Sequence, residues 1–314
     1  MPPQVHIRVE TVAKCEAACS GFTVWCEGTG LCKGAGLRKW YGSYSELAAD
    51  PDLDIVYVAT PHSHHLEHTL LCLENGKHVI CEKAFALNGR EVKAMIEKAR
   101  EKDLFLMEAL WPPFQPSYVY ATSLIDSGRL GEVVYINSHF AFLFPYESSN
   151  RLFNPDLGGG SLLDIGIYPV MDALSFMGRP SGVKAWAGFA PTGVDHTIQM
   201  VLDYGKGRFA SLYSSVNTPS GIKTEIFCTR GKITLSRSRD LVQKCIVEPD
   251  GGPTEEKRFM PEGMGYNLEA EEVMNCIDRG KTQSSVVPWS YSRDLIEILD
   301  LARKEIGLVY PGGR

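Results

Sequence analysis

The sequence has no apolar run near the roughly 18 residues that a membrane span needs, and no basic-then-apolar opening of a signal peptide. Both absences point to a soluble protein of the cytoplasm. The net charge is −6, which leaves no basic footprint for nucleic acid. None of the nine cysteines stands in a Cys-x2-Cys pair. An odd number without paired spacing fits a reducing compartment better than a disulfide framework. Cys15, Cys19, Cys26 and Cys32 lie close together, but their spacing is irregular and His6 is distant, so no metal site is expected there. The first forty residues also lack a recognisable dinucleotide loop. Gly28-Thr-Gly30 and Gly34-Ala-Gly36 are glycine-rich, yet such a loop should open a helix and lead, about 20 residues on, to an acid that holds a ribose. The stretch from Gly30 to Tyr41 is too short for a helix and a second strand, so these glycines read as loop. Phe22-Thr-Val-Trp25 reads as a possible strand.

What is present is ordinary for a globular protein: 314 residues, 44% apolar and 22% charged, a length that suggests two domains. From Gly36 onward the pattern is regular. Ser45–Ala49 reads as a short helix, and Asp54–Ala59 as a buried parallel strand. Thr60-Pro61-His62-Ser63-His64-His65 leaves its carboxyl end. Leu66–Asn75 is a helix with Leu70, Leu71 and Leu73 on its buried side. His78–Cys81 is the next strand, with Glu82 and Lys83 where it stops. Asn88 then has the spacing of a helix N-cap, with Glu91 three residues on. Leu104–Glu108 is a further strand. Alternating strand and helix argue a parallel sheet, whose carboxyl edge is where ligands bind. A surface Glu-Lys pair at a strand end would look the same in sequence.

Trp111-Pro-Pro-Phe-Gln-Pro116 marks a boundary, because its three prolines remove donors and fix φ. The first domain is therefore 1–110, with 1–36 atypical, and the second is 111–314. In the second, Tyr118–Ser127 is helical and Val133–Phe144 is a long strand. Further strands are expected at 182–189, 197–204, 208–216, 224–228, 232–235 and 243–247. Turns such as Tyr204-Gly-Lys-Gly207 between them imply a large, mostly antiparallel open sheet. Helices 162–177, 266–279 and 290–306 are expected to cover one face, with a second subunit on the other. The run Gly158-Gly-Gly-Ser-Leu-Leu-Asp164-Ile-Gly-Ile-Tyr168-Pro169 stands out. Asp164 and Tyr168 are four apart and share a helix face, and Asp172 follows a turn later. A carboxylate and a phenol so placed can hold a hydroxyl and move its proton. A surface Asp beside a packed Tyr is the plainer reading.

Taken together, the strand ending in Glu82-Lys83, the Thr60-Pro61-His62 loop, Leu104-Phe-Leu-Met-Glu-Ala-Leu-Trp111 and Gly158–Pro169 resemble the glucose–fructose oxidoreductase / inositol dehydrogenase (Gfo/Idh/MocA) family. The nearest branch is that of the trans-1,2-dihydrobenzene-1,2-diol and NADP-dependent D-xylose dehydrogenases. The resemblance runs from about Gly36 to Tyr310. It implies a Rossmann-like parallel sheet, incomplete at its start, followed by an α/β domain. It further implies a dehydrogenase acting on CH–OH or CH–CH groups of a sugar or trans-dihydrodiol, with NADP as cofactor and NAD possible, and a homodimer built through the C-terminal sheet. By resemblance, Lys83 is the lysine beside the nicotinamide, Tyr168 the acid/base tyrosine and Asp164 the substrate-binding aspartate. Thr60, Pro61, His62, Glu82, Lys83 and Trp111 fall on the cofactor side, and His65, Trp111 and Asp164 on the substrate side. No metal is implied. A tyrosine near its usual pKa of about 10 is a poor base at neutral pH, and a neighbouring lysine cation favours its phenolate.

The chain departs from the family at three places. The opening strand, glycine loop, helix and second strand are not recognisable before Gly36. Ala84 replaces the proline after the lysine, and Pro113 stands where the branch has an arginine. The alternative reading is therefore a non-catalytic or truncated member with impaired cofactor binding, such as a sugar-responsive regulator.

Overall fold

The computed structural model describes residues 9–12, 41–237, 242–260 and 265–311. The expected strand at Phe22–Trp25 and the early cysteines lie outside them. The chain divides into two compact units. The first runs up to Leu110 and takes in Glu269–Arg293, and the second holds Trp111–Leu268 and the chain from Asp294 on. Sequence reading gave all of 111–314 to one domain; the segment 269–293 joins the first unit instead. The physical reason is at the edge of its sheet, where Leu106 N–H donates to Thr282 O at 3.0 Å and the Trp289 indole N–H to Leu106 O at 2.8 Å. An open strand edge is thereby covered.

The first unit is built on a parallel sheet of β1 (Val9–Val12), β2 (Ile55–Val58), β3 (His78–Glu82) and β4 (Leu106–Ala109), in that order. Helices α1 (Tyr44–Ala48), α2 (His65–Glu74) and α3 (Gly89–Lys102) connect them. The steps from β2 to β3 and from β3 to β4 go to the next strand in the same direction, so right-handed crossovers bring α2 and α3 to one face, where α2 packs on α1 and α3. Strands covered on both sides read as continuous apolar runs, and every residue of β2 and β4 is buried. The buried side of α2 is His65, His68, Thr69, Cys72 and Leu73. Leu70 and Leu71, expected inside, are half-buried. His65 and His68 go in because Thr60, in the loop above β2, supplies partners for them.

The second unit carries an eight-stranded sheet: β5 (Val133–Leu143), β6 (Gly182–Phe189), β7 (Asp195–Asp203), β8 (Phe209–Ser215), β9 (Asn217–Cys228), β10 (Gly231–Arg237), β11 (Gln243–Pro249) and β12 (Glu255–Phe259). The order is β12-β11-β10-β9-β5-β8-β7-β6, with β5 and β8 parallel and the other pairs antiparallel. Alternation sets one face inward: Ile198, Met200 and Leu202 are fully buried, while Thr197, Gln199 and Val201 are half-buried. The inner face is covered by α4 (Pro116–Asp126) on β10–β12 and α5 (Ile167–Met177) on β5 and β8. Helix α6 (Asn267–Asp278), expected on this sheet, lies mostly in the first unit, and α7 (Trp289–Ile306) is shared in sequence between the two. Among the described residues no helix is long and apolar enough to cross a membrane.

Candidate functional site

In the first unit the carboxyl ends of β2 and β3 hold Thr60, Pro61, His62, Glu82 and Lys83. Glu82 is fixed twice: it accepts the Tyr57 hydroxyl at 2.6 Å and the Lys83 N–H at 3.2 Å. The Lys83–Ala84 peptide is cis. Beyond it Phe85 N–H donates to Glu108 Oε1 at 3.0 Å. Asn88 then caps α3, accepting the Arg90 and Glu91 N–H groups at 3.1 Å, while the Glu91 carboxylate takes the Leu87 N–H at 3.0 Å. Lys83 therefore sits on a turn held at both ends, as a preorganised group requires.

His65 ties this turn to its neighbour. It is fully buried, with Nδ1 2.9 Å from Ala84 O and Nε2 2.7 Å from Thr60 O. Burial, with help from His62, lowers its pKa to about 3 despite those carbonyls. The ring is thus neutral and bridges two loops. A neutral ring carries one N–H and donates it to one of the two carbonyls, while its other nitrogen meets the second; both face the backbone. Thr60 also meets His68 Nδ1 through its hydroxyl at 3.1 Å. Two acids given no site role from sequence, though Glu108 was expected on the same sheet edge, lie behind the lysine turn. Glu108 is buried, Oε2 has no hydrogen-bond partner, and burial lifts its pKa from 4.5 to about 7 against the pull of nearby Ser292 and the Phe85 N–H. Glu269 is raised well above the carboxylate range by burial and by Glu82. A single acid inside the apolar run Leu104–Leu110 was the available signal for Glu108.

In the second unit Trp111, Asp164 and Tyr168 come together around the start of α5. The Trp111 indole N–H donates to the Tyr168 hydroxyl oxygen at 3.2 Å, and Phe140 lies on the tyrosine with ring centroids 5.3 Å apart. Asp164 pairs with Arg151, Nη1 to Oδ1 2.9 Å. Leu162–Gly166 is wound as a π-turn ahead of α5, so Asp164 and Tyr168 do not keep the regular α-helical register that the sequence spacing implies. Pro169 follows, without an N–H to bond back. Asp195, another acid absent from the sequence reading, is fully buried and accepts the Leu162 N–H at 2.7 Å. Burial pushes its pKa up to about 7. The site residues expected from sequence thus fall in two groups: Thr60, Pro61, His62, His65, Glu82 and Lys83 in the first unit, and Trp111, Asp164 and Tyr168 in the second.

Two family models match: an oxidoreductase family with an NAD-binding Rossmann fold over residues 14–110, and the Gfo/Idh/MocA C-terminal domain over 118–234. The chain belongs to the Gfo/Idh/MocA oxidoreductases. Among its relatives, the trans-1,2-dihydrobenzene-1,2-diol dehydrogenase of Xenopus laevis is 36% identical over 88% of this chain and 85% of that protein. The D-xylose 1-dehydrogenase (NADP(+)) of Hypocrea jecorina is 32% identical over 88% and 79%. Two solved structures share the fold. Aldose-aldose oxidoreductase from Caulobacter crescentus has a TM-score of 0.80 at 23% identity, covering 97% of this chain and 100% of that one. A 3-ketoreductase from Actinomadura kijaniata, solved with NADP, has a TM-score of 0.82 at 20% identity, covering 96% and 98%. The Rossmann match begins at residue 14, well before Gly36, so this Gfo/Idh/MocA member carries family sequence in the stretch that residue patterns left unread.

Proposed function

We propose that the protein oxidises a hydroxyl of a sugar or trans-dihydrodiol, with hydride passing to NADP or NAD. The observation that carries the reading is the Trp111 donor on the Tyr168 oxygen, because an N–H aimed at a phenol oxygen stabilises negative charge there. Tyr168 serves as the base. It takes the hydroxyl proton as the C–H bond breaks and the C=O bond forms. Lys83 supplies the cation that favours the phenolate, and Asp164 orients the substrate hydroxyls beside the Trp111 wall. The donor set fits the cofactor: Thr60, Pro61, His62, Glu82 and Lys83 give hydroxyl, backbone, imidazole, carboxylate and ammonium groups at a parallel sheet's carboxyl edge. When bound, the nicotinamide accepts the hydride. His65 acts by fixing the two loops rather than by touching substrate, since its ring is sealed from solvent.

Two further parts of the reading concern setting and assembly. Cys72, Cys81, Cys228, Cys245 and Cys276 are free thiols, which suits the cytoplasm. The outer face of the large sheet exposes Tyr135, Trp186 and Phe209, an apolar surface suited to a homodimer. The deciding experiment is steady-state oxidation of D-xylose and trans-dihydrodiols by wild type, Lys83→Met and Tyr168→Phe. Each variant is expected to lose on the order of 10²-fold or more in kcat. Near-normal turnover in either removes that residue from the mechanism.

A further inference from the structure

The glycines Gly158-Gly-Gly160 ahead of the π-turn carry no side chain that could meet substrate or cofactor. Their use lies in what they let the chain approach. A Cβ on Gly159 would lie 2.6 Å from Arg151 O, 2.8 Å from Leu152 O and 2.9 Å from Asn154 O, so only a residue without one fits. The Gly160 N–H donates to Leu152 O at 2.8 Å and the Gly159 N–H to Asn154 O at 3.0 Å. From the other side the Tyr310 hydroxyl donates to Gly159 O at 2.7 Å. The single helical turn Arg151–Phe153 is thereby folded back onto the start of the π-turn. Asn150 caps it, accepting the Leu152 N–H at 2.9 Å, and Leu152 and Phe153 are buried. Arg151 points the other way and reaches Asp164, Nη1 to Oδ1 2.9 Å.

The two partners are unequally placed: the Arg151 side chain is 57% exposed and that of Asp164 only 11%. A carboxylate so covered keeps its charge when a cation stands against it. Once ionised it only accepts hydrogen bonds, at about four lone-pair sites on its two oxygens. Arg151 uses one of them, so the same carboxylate can take a substrate hydroxyl while the pair stays made. The planar guanidinium is directional where an ammonium is not, so it constrains the carboxylate's orientation as well as its charge. We infer that Arg151 is a positioning residue, which holds Asp164 as an oriented acceptor for a substrate hydroxyl, and that the glycine run serves to bring it there. The inference deepens the proposed oxidation and rests on Asp164 as the group that holds the substrate.

The test measures kcat and KM in wild type, Arg151→Met, Arg151→Lys, Asp164→Asn and the double variant Arg151→Met/Asp164→Asn. The substrate is D-xylose or trans-cyclohexane-1,2-diol, whichever wild type turns over faster. Methionine keeps an aliphatic stem at an exposed position, so the folding risk is small. Arg151→Met is expected to raise KM about tenfold, the worth of one charge-assisted hydrogen bond. Its kcat should stay within about twofold, because what is lost is binding common to ground and transition states. Arg151→Lys keeps the cation without the fork and should recover most of the rise. The double variant should be no worse than Asp164→Asn, since the two residues act as a unit. A merely structural tie would lower the unfolding midpoint and leave KM alone. An unchanged KM in Arg151→Met, no recovery in Arg151→Lys, or additive effects in the double variant overturn the inference. If wild type turns over neither compound, the oxidation reading has failed, and D-xylose binding followed by ligand-observed NMR takes the place of KM. Binding weakened by Arg151→Met and restored by Arg151→Lys supports the role of Arg151, and binding that is absent or indifferent to Arg151→Met overturns it.

Discussion

Glu108 in the first unit and Asp172 in the second are both buried carboxyl groups, and the protein answers them differently. Glu108 spends one oxygen on the Phe85 N–H and leaves the other without a partner. Asp172 gathers the Ser138 and Thr224 hydroxyls on one oxygen and so binds α5 to β5 and β9. Burial is the leading cause in both, lifting Glu108 from 4.5 to about 7 and Asp172 from 3.8 to about 6. The first acid therefore changes charge near neutrality, close behind the Lys83 turn. The second is ionised at neutral pH and serves as a fixed tie. The site-bearing turn of the first unit is tuned by an underpaired acid, whereas the site-bearing helix of the second is tied to its sheet by Asp172, a paired one.

That contrast gives a ranked set of expectations. The largest effect belongs to the second unit. Gly160 has φ +115°, and a Cβ there would lie 2.3 Å from Asp195 Oδ1. Asp195 is already engaged with the Leu162 N–H. Gly160→Ala should destabilise the protein by about 4 kcal/mol, through backbone strain and overpacking together. Denaturant unfolding checks this, and a midpoint near wild type would show that the Gly160–Asp195 contact is not tight.

Next is the pH dependence of Glu108. Its folded pKa lies above the unfolded value, so the protonated form is favoured in the fold. Stability is unaffected below about 4.5, falls as pH rises through about 7, and stays low above. By linkage the loss is about 3 kcal/mol. Glu108→Gln keeps the acceptor for Phe85 and should flatten the stability profile over that window. Asp172→Asn should flatten a lower window, from 3.8 to about 6. Coincident windows for the two variants would break the contrast. The smallest effect is at the cap: Asn88→Ala should lose about 1 kcal/mol of stability, read from thermal or denaturant unfolding.

Some of this was legible in sequence, for reasons that can be named. Asn88 with Glu91 marked the start of α3, because a side-chain acceptor and a back-reaching carboxylate have a fixed spacing. Gly182–Phe189 was readable because turn residues bound it and Val183, Trp186 and Phe189 within it favour a strand. β12 escaped notice, since Glu-Glu-Lys-Arg-Phe shows no apolar alternation; charged residues suit an edge strand. The fate of α6 was also hidden, because an amphipathic face does not say which sheet it will cover. The gathering of Trp111 and Tyr168 was expected only by family resemblance. Asp195 and Glu269 gave no local signal at all, since what makes them notable is burial by distant segments.

The most direct single measurement is titration of the purified, folded chain with NADPH and NADH, followed by nicotinamide fluorescence. Saturable binding in the micromolar range is expected, with weaker binding in Lys83→Met. A folded protein that binds neither nucleotide would contradict the oxidoreductase reading and favour a member of the family that performs no hydride transfer.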